Sequence, residues 1–184
     1  MIRVLLDTCV LFKPLLCDTL LCIAEEEVYQ PLWSVDILEE LERNLIRHNI
    51  TEQAAQRRIG RMRQHFPDAL VEDYQDLIPA MRNDPGDRHV LAAAVAGNAE
   101  LVVTENLRHF PEEAANPYGL EIVSQDKFLL DQVDLVPRAV HEALTRQVSR
   151  YRREPRTLED LVIALGTPGN GCPQFAKRCH ADSC

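Results

Sequence analysis

Apolar and polar positions along the chain fall into short continuous runs and longer runs of helical period. Ile2, Val4, Leu5 and Leu6 form a near-continuous apolar run, the pattern of a strand buried on both faces. Leu16, Leu20 and Ile23 recur at helical spacing and predict a helix over residues 14–26. Residues 27–33 read as a second strand. Ser34 then stands as a helix N-cap, with Asp36 and Glu39 as a capping-box alternative. Ile37, Leu41 and Leu45 form the apolar stripe of that helix, widened by Leu38. Thr51 caps a further helix whose inner side carries Ala55, Ile59 and Met62. Residues 67–80 have a mixed pattern with no clear element. Asn83, Asp84, Pro85, Gly86 and Asp87 spell a turn. The alanine-rich, nearly all-apolar stretch 88–96 predicts a buried helix, with Gly97 expected to stop it in a left-handed conformation. Strands follow at 101–104 and 120–123, the second after the turn residues Asn116, Pro117 and Gly119. Helices are expected at 125–133, 136–151 and 158–165. Residues 166–184 hold glycines and prolines without period and read as irregular.

Strands alternating with helices imply an α/β fold with a parallel sheet between helical layers. The expected division is an α/β domain over residues 1–134, then a helical extension with an irregular, cysteine-containing tail over 135–184. In such sheets the ligand crevice lies beyond the carboxyl ends of the strands, where strand order reverses. Asp7 ends the first strand, and Thr104, Glu105 and Asn106 follow the strand at 101–104. These positions suit one shared crevice.

Composition narrows the picture. The 184 residues carry 29 acidic and 20 basic side chains, a net charge of −9, which argues against nucleic-acid affinity through bulk charge. Arginines nevertheless gather in two places. One group is Arg43, Arg47, Arg57, Arg58, Arg61 and Arg63. The other is Arg146, Arg150, Arg152, Arg153 and Arg156. Each is either a solvated helix face or a phosphate-binding surface, for which the planar guanidinium is well suited. No apolar run approaches a membrane span. The N-terminus enters a strand at once, with no basic region or cleavage site, so a cytoplasmic, signal-free protein is expected. Cys9, Cys17 and Cys22 lie in apolar surroundings and read as buried free thiols. Cys172, Cys179, His180 and Cys184 fit no common zinc spacing and read as a loose thiol-containing tail.

The candidate chemistry rests on Asp7, Glu40 and Asp87, three acids far apart in sequence but each placed at or near the end of an element. If they converge, their repulsion calls for a hard divalent cation with oxygen ligands, which points to metal-assisted chemistry on phosphate. An aspartyl-phosphatase reading wants a second aspartate two residues after the first, where this chain has Cys9. A receiver-type phospho-switch is disfavoured by the long helical insert over 36–65. Neither His89 nor His109 is placed by the pattern as an essential general base.

Four segments, VLLDTCVLF, WSVDILEELERNL, DPGDRHVLAAAV and LVVTENLRHFP, together resemble the PIN domain, the nuclease fold of VapC-type toxins. The resemblance covers about residues 1–134 and implies a three-layer α/β/α fold with a central parallel sheet. It also implies an RNA-cleaving site of clustered carboxylates holding Mg²⁺ or Mn²⁺. By position, Asp7 matches the first acid, Glu40 the second (with Glu39 competing) and Asp87 the third. At the fourth place many members carry aspartate where this chain has Asn106, so that Glu105 or Asp84 would have to substitute, or metal affinity would fall. Thr104 is expected to orient Asn106 or a bound water. The implied reaction is hydrolysis leaving a 5′-phosphate and a 3′-hydroxyl. The implied partners are an RNA substrate and a cognate antitoxin, in a homodimer or a hetero-oligomer with the antitoxin. The competing expectation is a catalytically weak scaffold that binds RNA or protein without cutting, motivated by the missing charge at Asn106. The arginines from 146 to 156 are candidates for contact with RNA, antitoxin or a second subunit.

Overall fold

A computed structural model describes residues 1–181, so Cys184 lies outside the described residues. By internal contacts the chain divides into two compact units: residues 2–12 with 30–123, and residue 1, 13–29 and 124–184.

The first unit is built on a five-stranded sheet of order β3-β2-β1-β4-β5. The strands are β1 (Ile2–Leu6), β2 (Tyr29–Ser34), β3 (Leu70–Val71), β4 (Leu101–Val103) and β5 (Glu121–Val123). Pairing is parallel in β1–β4, β2–β3 and β4–β5. The α/β class with a central parallel sheet is therefore as the sequence predicts. β1 sits at the centre with Val4, Leu5 and Leu6 fully buried, which accounts for its apolar run. The chain builds outward from β1 through β2 to β3, then returns to β1's other side with β4. That reversal places the switch point, and hence the crevice, between β1 and β4.

Five helices belong to this unit: α1 (Thr8–Phe12), α3 (Val35–Arg47), α4 (Glu52–His65), α5 (Arg88–Ala96) and α6 (Glu112–Ala115). Ser34 caps α3, its Oγ accepting from the Ile37 N–H, and Thr51 caps α4 through the Ala54 N–H. Arg58 on α4 donates to the Leu11 carbonyl at 2.7 Å, tying α4 to α1. α1 and the two-residue β3 were not expected. Five and two residues are too few to show a period.

Gly97 ends α5, but not as expected. Its backbone is right-handed (φ −73°), and the positive φ falls on Asn98 (φ 48°). The glycine is required by proximity instead: a Cβ here would stand 2.9 Å from Val71 Cγ2 and 3.0 Å from both Leu32 Cδ1 and the Ala93 carbonyl.

The second unit is helical: α2 (Pro14–Ala24), α7 (Gln125–Leu135), α8 (Pro137–Arg150), α9 (Leu158–Gly166) and α10 (Pro173–Ala181). α2 and α8 are joined by Gln147, which accepts from Thr19 Oγ1 at 2.9 Å and donates to the Leu15 carbonyl and to Tyr151. Arg150 grips Glu25 with two hydrogen bonds at 2.9 and 3.1 Å, and Arg146 pairs with Glu25 and Glu26. Two arginines of the second basic group are thus engaged within this unit.

The irregular tail expected over 166–184 is corrected by α10. Its period was hidden because only nine residues are helical and its start is secured from far away. The buried carboxylate of Asp126 accepts from the Gln174 and Phe175 N–H groups at 2.9–3.2 Å, satisfying free donors at the helix N-terminus. Phe175 and Cys172 are fully buried, so this part of the chain is not loose.

No helix among the described residues is long and apolar enough to cross a membrane.

Gly97→Ala should lower stability by about 1–3 kcal/mol, the cost of forcing a methyl into a filled space. Thermal unfolding should show this as a fall of roughly 2–4 °C in Tm per kcal/mol. An unchanged Tm would show that Val71 and Leu32 yield freely.

Candidate active site

The parallel ladders on either side of β4 each continue one residue further, at Asp7 toward β4 and at Thr104 toward β5. Asp7 N–H donates to the Val103 carbonyl at 3.1 Å, and Thr104 N–H donates to the Val123 carbonyl at 3.0 Å. Since Leu6 is paired with Val103, Asp7 and Thr104 emerge side by side at the carboxyl end of the sheet. Thr104 Oγ1 donates to Asp7 Oδ2 at 2.6 Å and accepts from the Asn106 N–H at 3.0 Å. Thr104 therefore orients Asn106 as expected, through its backbone, and holds the Asp7 carboxylate as well.

Asp7 is only 3% exposed, and its other oxygen, Oδ1, accepts from the Thr8 N–H at 2.6 Å. Burial raises its pKa above the ordinary aspartate value. Hydrogen bonds from Thr104 and Cys9 oppose the shift, and the nearby charge of Asp87 adds to it. Thr8 carries the link onward: its Oγ1 lies 3.0 Å from Glu40 Oε2 and 3.3 Å from the Ile37 carbonyl, one hydroxyl serving two acceptors on α3. Glu39, the competing residue, pairs instead with Arg43 along the exposed face of α3.

Asp87 precedes α5, yet its side chain makes no capping hydrogen bond. It points to His109, whose Nδ1 is 2.6 Å from Asp87 Oδ2. Asp84, Asp87 and His109 form a group whose ligand atoms all lie within 4.8 Å of one another. Of the two acids considered as substitutes at the fourth place, Asp84 joins this group, while Glu105 is exposed and brings its backbone N–H to Cys9 Sγ.

The structure thus links Asp7 and Glu40 through Thr8, while Asp87 stands near enough for its charge to disfavour that of Asp7. Asn106 reaches the site by its backbone N–H. Cys9, read from sequence as one of three buried thiols, is half-buried and part of the site. Its Sγ donates to Asp7 Oδ2 at 3.2 Å and lies 3.4 Å from Thr104 Oγ1. Burial and the Asp7 charge push that thiol up to about 12, so it stays protonated and acts as a donor. Its position two residues after the acid was the available signal. His89 Nε2 stands 3.8 Å from Glu40 Oε2, beyond hydrogen-bond reach, and this buried nitrogen has no hydrogen-bond partner.

Among the described residues no lysine or arginine pairs with Asp7, Glu40 or Asp87. Their oxygen donors suit a divalent cation on chemical grounds, and among the described residues the ligand atoms close enough together to share one are those of Asp84, Asp87 and His109.

Comparison with known proteins bears on this arrangement. The family model described as PIN domain matches residues 3–108, more than half of the chain. The chain belongs to the PIN domain family. A second model, described as VapC50 C-terminal domain, matches residues 125–181, the stretch of the PIN protein that holds α7 to α10. A curated relative from Mycobacterium tuberculosis (strain ATCC 25618 / H37Rv), described as "Putative ribonuclease VapC50", is 47% identical over 112 residues. That match covers 61% of this chain and 64% of the relative, so the chain spans a little under two thirds of the relative's length. No solved structure matches this PIN protein.

Asp7 supplies a stability prediction. A carboxyl whose pKa is raised by folding contributes stability that is fully present below its unfolded pKa, about 4, and is lost as pH rises through the folded value. In chelator, Asp7→Asn should therefore raise Tm at neutral pH, by roughly 2–4 °C for each ~1 kcal/mol relieved. The difference from the unaltered protein should shrink toward pH 4. Thermal melts from pH 4 to 8 check this, and a lower Tm for the variant at neutral pH would contradict it.

Proposed function

We propose that this PIN protein is a divalent-metal-dependent endoribonuclease and acts as the toxin of a toxin–antitoxin pair. The observation that carries the reading is the link from Asp7 through Thr8 to Glu40 at the carboxyl end of the sheet, with Asp87 near enough for its charge to act on Asp7 and, among the described residues, no lysine or arginine paired to the three. Membership of the PIN family and similarity to a relative named as a ribonuclease support it.

Asp7, Glu40 and Asp87 would hold Mg²⁺ or Mn²⁺, which when bound neutralises charge on a phosphodiester and activates water for attack. The residues of the chain prepare that chemistry. Thr104 and Thr8 hold the two Asp7 oxygens from opposite sides, so the carboxylate is oriented before any ligand arrives. Thr8 also fixes Glu40, so that α3 and β1 present their acids as one unit. His109 orients Asp87. No side-chain nucleophile is required, and the protonated Cys9 is not suited to be one. Hydrolysis would leave a 5′-phosphate and a 3′-hydroxyl.

A cognate antitoxin would oppose this activity by covering the carboxylates and offering them a basic side chain, in a homodimer or hetero-oligomer. Action in the cytoplasm accords with an RNA target. A second reading, an RNA- or protein-binding scaffold that does not cut, is favoured by Asn106. It brings no charge to the site and is engaged there through its backbone N–H.

Purified protein incubated with total cellular RNA should give discrete fragments with Mg²⁺ or Mn²⁺ and none with chelator. Asp7→Asn should reduce the rate at least about 100-fold, the scale of losing one electrostatic element of a catalytic site. Fragments independent of metal or of Asp7 would overturn the nuclease reading. Binding of RNA without cleavage under either metal would establish the scaffold.

A further inference from the structure

The charge missing at Asn106 leaves the question of what completes the donor set. We propose that His109 is a metal ligand of this site, coordinating through Nδ1 in the place that a fourth carboxylate would otherwise take. The inference rests on the metal-site reading above.

Three observations place His109 there. Its imidazole Nδ1 stands 2.6 Å from Asp87 Oδ2, so the nitrogen and a candidate metal-binding oxygen already face one another. With Asp84 and Asp87 it makes the only group of three such side chains among the described residues whose ligand atoms lie within 4.8 Å. Its backbone is held from both sides. The His109 N–H donates to the Asn106 carbonyl at 2.8 Å, and the His109 carbonyl accepts from the Asp84 N–H at 3.0 Å. The second bond ties the turn after β4 to the turn before α5, so the ring is aimed by two loops together. Asn106, by contrast, spends its N–H on Thr104 and its carbonyl on His109. Both residues thus serve one turn, in which Asn106 shapes the backbone and His109 presents the ligand atom.

The proton count is simple. A neutral imidazole carries one proton. Coordination through Nδ1 requires that proton on Nε2, and the metal then takes the place of the direct contact between Nδ1 and Asp87, with no net gain or loss of protons. Replacing a carboxylate by a neutral nitrogen removes one negative charge and adds a softer donor. That weakens the preference for Mg²⁺, which favours oxygen ligands, relative to Mn²⁺ and Co²⁺.

The test is pulsed electron paramagnetic resonance on Mn²⁺-loaded protein. The unaltered protein should show coupling from a directly bound nitrogen, and the coupling should change character when histidine is labelled with ¹⁵N. That comparison needs no substitution and so cannot fail through misfolding. His109→Gln should abolish the coupling, and His89→Gln should keep it. His109→Asp should raise the affinity for Mg²⁺ relative to Mn²⁺ by about tenfold, read by calorimetric titration. Absence of nitrogen coupling, its insensitivity to the label, its persistence in His109→Gln or its loss in His89→Gln would each overturn the proposal. Bound nitrogen without RNA cleavage would uphold it and remove the nuclease reading. Cleavage without bound nitrogen would do the reverse.

Discussion

The hydrogen bond from Thr104 Oγ1 to Asp7 Oδ2 is the contact on which the site depends. It exists because β1 and β4 are adjacent parallel strands paired at Leu6 and Val103, so that the next residues, Asp7 and Thr104, leave the sheet side by side. Were β4 to slip by one residue, Thr104 would turn to the other face of the sheet, and Asp7 would be a buried carboxylate without its hydroxyl donor. Burial alone disfavours the Asp7 charge. Donors at both of its oxygens oppose that effect, and Asp87 opposes the donors. The result is a carboxylate oriented and strained in charge at once, a condition a divalent cation relieves.

From this contact the rest of the site follows in steps of one residue. Thr8 follows Asp7, begins α1 and reaches Glu40 on α3. Cys9 follows Thr8 and bridges the strand-end loops through Asp7, Thr104 and Glu105. Asn106 lies two residues after Thr104, and the turn it begins delivers His109 to Asp87. Each acid comes from a different element, and each is positioned by a neighbour in sequence to another member. Such a set is held by local geometry at four places, which is how a sheet of five short strands can carry a precise site.

What could be read from the sequence was what depends on local pattern. The run Ile2 to Leu6, the caps Ser34 and Thr51, and the stripe of Ile37, Leu41 and Leu45 state their elements directly, and the structure places them as read. The positions of Asp7 at a strand end and Asp87 before a helix were equally visible. What could not be read depends on contacts across long separations. α10 starts where Asp126, 48 residues away, receives its N–H groups. Gly97 does stop α5, but its reason is the approach of Leu32 and Val71, which no local rule contains. Cys9 looked like a core thiol because its sequence neighbours are apolar, and His109 looked like a loop residue because its partner is 22 positions earlier. The helical unit shows the same limit. Arg146 and Arg150 read either as a solvated helix face or as a phosphate-binding surface until Glu25 and Glu26 are seen beside them.

The most direct test of the account is a crystal structure of the Mn²⁺-loaded protein with anomalous data collected at the manganese edge. The account predicts a peak within coordination distance of Asp7 and Asp87, at the carboxyl end of β1 and β4. Anomalous density confined to other residues, or none at saturating Mn²⁺ with these carboxylates arranged as described, would contradict it.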